Sequence, residues 1–276
     1  METRLMIDAH AHLTTDDPAY PSLVPVADPM TAERLLSALD AHGLSAAVAV
    51  QRAHVFGFDN RYVVDAARRH PGRLAAMCVV DGLAPDAATT VRRWASLGAR
   101  AMRLTAPGGG RHGGPPGAGW FAGPEAAAVW RTAADLGLSM CLHLYRWNRD
   151  ECLRALPAVL RVFPDVPVVL DHVASVETGG PRPYPGADLL LALADHPRVH
   201  VKATTLNPGL DPAGAVTWLV GAFGAERVLW GSDVTQTPVA YPEMVRIGRA
   251  SVSGLPAADA AQVLAGTAAR LYGLAP

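Results

Sequence analysis

Eight short apolar runs, rich in valine, leucine and alanine, recur along this 276-residue chain, and segments of helical periodicity separate most of them. The runs fall at 5–7, 46–50, 74–80, 99–104, 139–144, 168–170, 199–201 and 228–230; the helical segments include 31–42, 60–70, 85–97, 125–136, 149–163 and 212–223. Gly43, Gly98, Gly137 and Gly224 follow helical segments and precede strands, and His70-Pro71, Phe163-Pro164 and His196-Pro197 punctuate at the same phase. Strands that are apolar throughout, each followed by a helix, belong to a parallel sheet with helices over its faces. Eight such units close most economically as an α/β (β/α)8 TIM barrel, a fold of about 250 residues. No low-complexity linker divides the chain, so one barrel domain is expected over 1–276. A doubly wound open sheet is the alternative that periodicity alone does not separate.

Half the residues are hydrophobic and 18% are charged, enough apolar material for a large core. Lys and Arg number 24 against 25 Asp and Glu, a net charge of −1 that supplies no field for nucleic acid or an anionic membrane. The expected partner is a small-molecule substrate, with a homo-oligomer left open. Three cysteines without close-spaced pairs argue against a disulfide framework and for a reducing cytoplasm. A charged residue interrupts the N-terminus before a signal-length apolar segment can form, and no run approaches the ~18 residues of a membrane span. Neither export nor membrane insertion is expected.

The chemistry is expected where polar residues interrupt the C-terminal ends of strands, the edge that carries active sites in this architecture. Asp8, His10 and His12 alternate with Ile7, Ala9 and Ala11, so a period of two points all three polar side chains to one side of the first strand. His143, His172 and Asp233 each stand where a later apolar run becomes a loop. Barrel closure makes the first and eighth strands neighbours and brings Asp233 to His10 and His12. Three nitrogens and one carboxylate oxygen, from His10, His12, His143 and Asp233, then suit one divalent ion, with Zn²⁺ the first choice. A single strand histidine is more often a packed core residue. Several together at strand ends are hard to explain by packing, since unpaired buried polar groups are costly.

His42, His70 and His196 read as helix C-terminal residues complementing the dipole, and His200 as the start of a strand. His54 and His112 fall in loops after strands two and four, within reach of a substrate. The glycine- and proline-rich stretch 108–117 reads as a mobile loop beside the site.

These residues resemble the amidohydrolase superfamily, in its smaller amidohydrolase-2 branch of barrel lactonases, hydrolases and decarboxylases. The matching motifs are Ile7-Asp8-Ala9-His10-Ala11-His12-Leu13, Leu142-His143, Leu170-Asp171-His172 and Trp230-Gly231-Ser232-Asp233, with Ala269-Arg270-Leu271-Tyr272-Gly273 like the family's closing helix. The resemblance implies a metal or catalytic cluster of His10, His12 and Asp233, with His143 as a further ligand and His172 as a catalytic imidazole. Val50-Gln51-Arg52-Ala53-His54, Asp59-Asn60 and Arg103 look most like the pyrone-dicarboxylate and sugar-lactone lactonases, some of which work without a metal. Arg103, Arg52, His54 and Tyr145 are the expected substrate contacts. The sequence departs from the family at Val234-Thr235, Val173-Ala174-Ser175 and Thr267.

Larger relatives bridge two metals with a carboxylated lysine on the fourth strand. Here that strand carries Arg103, and the only lysine in the chain is Lys202, on the seventh. A bridged two-metal centre is not expected. For Lys202, a buried ion-pair role is preferred to a catalytic one.

The first mechanism is metal-assisted hydrolysis, in which the ion lowers the pKa of water from about 15.7 towards about 7. Asp233 would take the proton, His172 would stabilise the oxyanion, and Arg103 or Arg52 would hold a substrate carboxylate. The bond broken would be that of a lactone or another cyclic ester or amide. The alternative is metal-dependent, non-oxidative decarboxylation of a small aromatic or unsaturated acid. A non-catalytic barrel is disfavoured because every ligand position holds a competent residue.

Overall fold

The computed structural model describes residues 5–106, 113–114, 116–204 and 211–275. Eight strands form one parallel sheet in chain order: β1 Ile7–His12, β2 Ala46–Val50, β3 Leu74–Val79, β4 Ala101–Thr105, β5 Ser139–His143, β6 Val168–Leu170, β7 Val199–Thr204 and β8 Val228–Gly231. The principal helices are α1 Ala32–His42, α2 Arg61–Arg69, α3 Ala87–Ser96, α4 Ala127–Leu136, α5 Arg149–Val162, α6 Ala187–Leu191, α7 Pro212–Phe223 and α8 Tyr241–Ser251, one after each strand. A last helix, α9 Thr267–Tyr272, ends the chain. The (β/α)8 barrel expected from the alternation is the architecture found. Gly43 and Gly137 end α1 and α4 in the left-handed region, at φ 67° and 63°, where a Cβ would be strained.

Two apolar layers follow from the strand period. Met102, Leu104, Val168, Leu170, Val201 and Ala203 face outward into the cluster under the helices. Ile7, Val48, Met77, Ala101, Cys141, Val169 and Leu229 form a second cluster that fills the barrel and meets Ala268 and Tyr272 of α9. Helix α9 thus closes one end and leaves the opposite end for chemistry. β1 and β7 run past their apolar runs to His12 and Thr204. Ladder bonds come from the backbone, so polar side chains that find a polar interior do not end a strand.

The seam between β8 and β1 closes the barrel. Ala11 bridges Val234, and the Asp233 N–H donates to the His10 carbonyl at 2.8 Å. A Cβ on Gly231 would lie 2.7 Å from His10 Cβ and 2.8 Å from its backbone N, so only glycine permits this approach.

Asp8 corrects the expectation from strand parity. The register slips between Asp8 and Ala11, and this irregularity breaks the period of two. His10 and His12 face the interior, while Asp8 turns to the seam. Its Oδ1 accepts from the Ser232 and His10 N–H groups at 2.8 and 3.1 Å, and its Oδ2 accepts from the Tyr241 hydroxyl at 3.0 Å. Burial raises the Asp8 pKa against the pull of these donors. Asp8 therefore joins β1, β8 and α8. Tyr241→Phe should cost about 1–3 kcal/mol in chemical denaturation, because a buried carboxylate oxygen loses its donor. An unchanged midpoint would mean that the latch carries no stability.

His42 lies in the last turn of α1 and His70 caps α2, as expected. His196 does not end a helix: it sits in the turn between α6 and β7 because α6 stops at Leu191. His200 is the second residue of β7, with Nδ1 2.9 Å from the Arg198 carbonyl. Cys78, Cys141 and Cys152 are buried and free. Among the described residues, no helix is long and apolar enough to cross a membrane. His112 and most of the glycine-rich stretch lie outside the described residues.

Candidate active site

Inward positions become polar at the open end of the barrel. Arg103 and Thr105 follow Ala101 in β4, His143 follows Cys141 in β5, and Asp171 follows Val169 at the end of β6. Lys202 and Thr204 occupy the inward positions of β7, and Asp233 stands just beyond β8.

The closest donors are His10, His12 and Asp233, all buried. His10 Nε2 and His12 Nε2 are 3.2 Å apart, and the Asp233 Oδ1 lies 3.5 and 3.4 Å from them. Three donors of a tetrahedral zinc ion at bond lengths of about 2.0–2.1 Å are separated by roughly 3.3–3.4 Å, so the trio has the spacing such an ion demands. His12 Nδ1 lies 2.9 Å from the Val50 carbonyl, which can only accept; the ring proton sits there and leaves the Nε2 lone pair facing the trio. Burial pulls the pKa of His10 well below the usual histidine range, so its imidazole is neutral at pH 7 and able to ligate. Burial alone would raise the Asp233 pKa, but its contacts with His12, His172 and His10 outweigh burial and hold it below the usual carboxylate range.

Behind His10 lies a buried ionic cluster. Lys202 is wholly buried, with Nζ 2.8 Å from Asp171 Oδ1 and 3.3 Å from His10 Nδ1. Arg103 Nε donates to Asp171 Oδ2 at 2.7 Å, and His10 Nδ1 lies 3.3 Å from Asp171 Oδ1. Desolvation would raise the Asp171 pKa, yet Lys202, His10 and Arg103 hold it well below the usual carboxylate range. Asp171 in turn raises Lys202 against its own desolvation. The ion-pair reading of the sole lysine is therefore the one found. In the sequence Asp171 stands out only as part of a motif; its inward parity with Val169 is the signal that marks it.

His172 is adjacent to Asp171, and in a continuing strand the two side chains would point to opposite faces. Instead, residues His172, Val173, Ala174 and Ser175 take φ values of 53°, 52°, 51° and 58°. This left-handed turn brings the imidazole to the same end of the barrel as the carboxylate. The His172 ring centroid is 5.0 Å from that of His10 and 5.2 Å from that of His143, and its Nδ1 is 3.0 Å from Thr204 Oγ1. Four non-glycine residues in this region carry strain of roughly 1–2 kcal/mol each. Ala174→Gly should raise the melting temperature by roughly 1–3 °C, since relief of the Cβ outweighs the added chain entropy. A lower melting temperature would contradict the strain.

The remaining expected residues are less tightly gathered. His143 does not share the close spacing of the trio; its Nδ1 lies 3.4 Å from Thr105 Oγ1 and its ring packs against Tyr145, with centroids 4.5 Å apart. Burial and the Arg103 charge lower its pKa well below the histidine range. Arg52 donates to Thr235 Oγ1 at 3.1 Å. With the exposed His54 it lines a groove of about 670 Å³ whose walls do not include the trio.

The chain belongs to the amidohydrolase-2 family, whose match extends over residues 7–274. Among solved structures, a putative 2-pyrone-4,6-dicarboxylic acid hydrolase from Pseudomonas putida is 26% identical with a TM-score of 0.77, over 97% of each chain. An amidohydrolase from Burkholderia multivorans with bound zinc shares the fold at 22% identity and TM-score 0.74, over 98% of this chain and 100% of its own. A curated relative, the uncharacterized protein y4mH of Sinorhizobium fredii, is 30% identical over 119 residues, which span 40% of this chain and 38% of that protein.

Proposed function

We propose that this enzyme is a hydrolase that opens a lactone, or another cyclic ester or amide, of a small carboxylated or polyhydroxylated substrate. The observation that carries the reading is the donor triangle of His10, His12 and Asp233, with sides of 3.2–3.5 Å, at the open end of the barrel. These residues would hold one divalent ion, with zinc the first choice. His143 is the further donor in this reading, since among the described residues its hydrogen bond to Thr105 engages Nδ1 and leaves Nε2 for the site. When bound, such an ion supplies Lewis acidity and brings the acidity of water towards neutral pH. Similarity to a pyrone-dicarboxylic acid hydrolase and to a zinc-binding amidohydrolase supports the choice of reaction and metal.

The protein side of the mechanism follows from the hydrogen bonds. Asp233, ionised and central, receives the proton of the attacking water. His172 Nδ1 pairs with Thr204 Oγ1 at 3.0 Å; in the tautomer with Thr204 as donor, the ring proton stands on Nε2, where it would stabilise the oxygen of an opening ester. Arg103 spends Nε on Asp171. Among the described residues nothing bonds its two terminal nitrogens, which suit a substrate carboxylate. Arg52, His54 and Tyr145 stand further out and would meet the rest of the substrate.

A panel of carboxylated and sugar lactones, cyclic amides and aromatic acids tests the proposal, scored for ring-opened product and for CO₂. Ring opening of a lactone is expected; CO₂ release without it would favour the decarboxylase alternative. Full activity in protein stripped of metal by a chelator would overturn the role of the ion.

A further inference from the structure

The groove beside the donor triangle lies on the side of the barrel seam. Its volume of about 670 Å³ is within the usual range of small-molecule pockets. Its walls come from the loop after β1, from α1, from the segment after β2 and from the start of α8, and Val26, Met30, Ala38, Val55, Val239 and Met244 make them largely apolar. Val234 and Thr235, the two residues after Asp233, carry the groove to the edge of the site.

Arg52 stands at that inner edge. Its Nη1 donates to Thr235 Oγ1 at 3.1 Å, and Thr235 presents the hydroxyl from a left-handed backbone, φ 74°, that a β-branched residue rarely takes. Among the described residues nothing else accepts from this guanidinium, and its Nε is buried without a partner. Arg34, at the rim of the groove, is already engaged by Asp28. A buried N–H without an acceptor is costly, so an oxygen brought by a ligand is favoured at Arg52. A carboxylate there would face the negative charge of Asp233, which already acts on Arg52, so a neutral carbonyl fits better. Apolar walls that end at an unsatisfied guanidinium suit an aliphatic tail with a carbonyl at its root.

We infer that the groove is the site for an acyl arm of the substrate: the carbonyl oxygen of the arm accepts from Arg52, its aliphatic tail lies against the apolar walls, and the ring to be opened stands over His10, His12 and Asp233. The inference rests on the reading that the site opens a cyclic ester or amide, and it narrows the substrate class to an acylated ring.

Binding separates the arm from the reaction. N-acylcyclopentylamines with butanoyl, hexanoyl and octanoyl arms have no ring bond to hydrolyse; their Kd values are measured by titration calorimetry on wild type, Ala38→Phe and Arg52→Met, with melting curves to confirm folding. In wild type, Kd should fall about two- to fourfold for each added methylene. Arg52→Met should weaken every member roughly tenfold. Ala38→Phe fills the groove and should abolish the dependence on arm length. No measurable binding in wild type, a Kd that does not change with arm length, or a length dependence that survives in Ala38→Phe overturns the inference, and a Kd unmoved by Arg52→Met overturns the carbonyl contact. Should Ala38→Phe fail to fold, Val239→Phe is judged by the same criterion. The matching α-acylamino-γ-butyrolactones then test the reaction. Length-dependent binding without ring opening of any lactone overturns the hydrolase reading and not the arm site, whereas ring opening indifferent to arm length overturns the arm site and not the hydrolase reading.

Discussion

Asp233→Asn should lower kcat/KM on the opened lactone by roughly 10²–10⁴-fold, the range associated with loss of a positioned proton acceptor, and should also strip the protein of most of its zinc. The carboxylate lies 3.4–3.5 Å from two imidazole nitrogens, and the amide that replaces it carries neither the charge for an ion nor the basicity for a water proton. His143→Ala should weaken zinc retention less than Asp233→Asn, since His143 stands outside the close trio. Metal content and steady-state kinetics on the same preparations make the check. Activity above about a tenth of wild type in Asp233→Asn would remove Asp233 from the reaction.

Asp171→Asn should be the most destabilising single change in the site. It leaves Lys202 and Arg103 as two buried cations without a counter-charge, and breaking such a buried cluster from one side costs about 3–5 kcal/mol. At about 2–4 °C per kcal/mol for a chain of this size, the melting temperature should fall by roughly 6–20 °C. The double change Lys202→Met/Asp171→Asn should recover part of the loss, because it removes one stranded cation together with its partner. A fall of under about 2 °C in the single variant, or no recovery in the double, would mean that the cluster is solvated and weakly coupled.

Much of the fold can be read from the chain because barrel strands announce themselves locally. The run at 46–50 and the run at 168–170 coincide with β2 and β6, and the segment at 212–223 coincides with α7. Elsewhere the boundaries moved where the apolar signal stopped before the backbone ladder did: β1 and β7 continue through His12 and Thr204 because their polar side chains enter a polar interior. The residues at the strand ends were legible for the same reason, since a histidine or aspartate after an apolar run falls at the open edge of the barrel.

Sequence by itself therefore determined a parallel sheet of eight strands covered by helices, favoured its closure as a barrel over an open doubly wound sheet, and marked the polar residues at the strand ends. The tertiary structure alone decided which of them meet. An irregular register in β1 sends Asp8 to the seam and keeps His10 and His12 together, and neither outcome has a local signature because a register exists only between two strands. The left-handed turn after β6 brings Asp171 and His172 to one end of the barrel against the ordinary alternation of side chains. Lys202 finds Asp171 and His10 only because closure converts residues distant along the chain into neighbours a few ångströms apart, and electrostatic pairing depends on that separation in space.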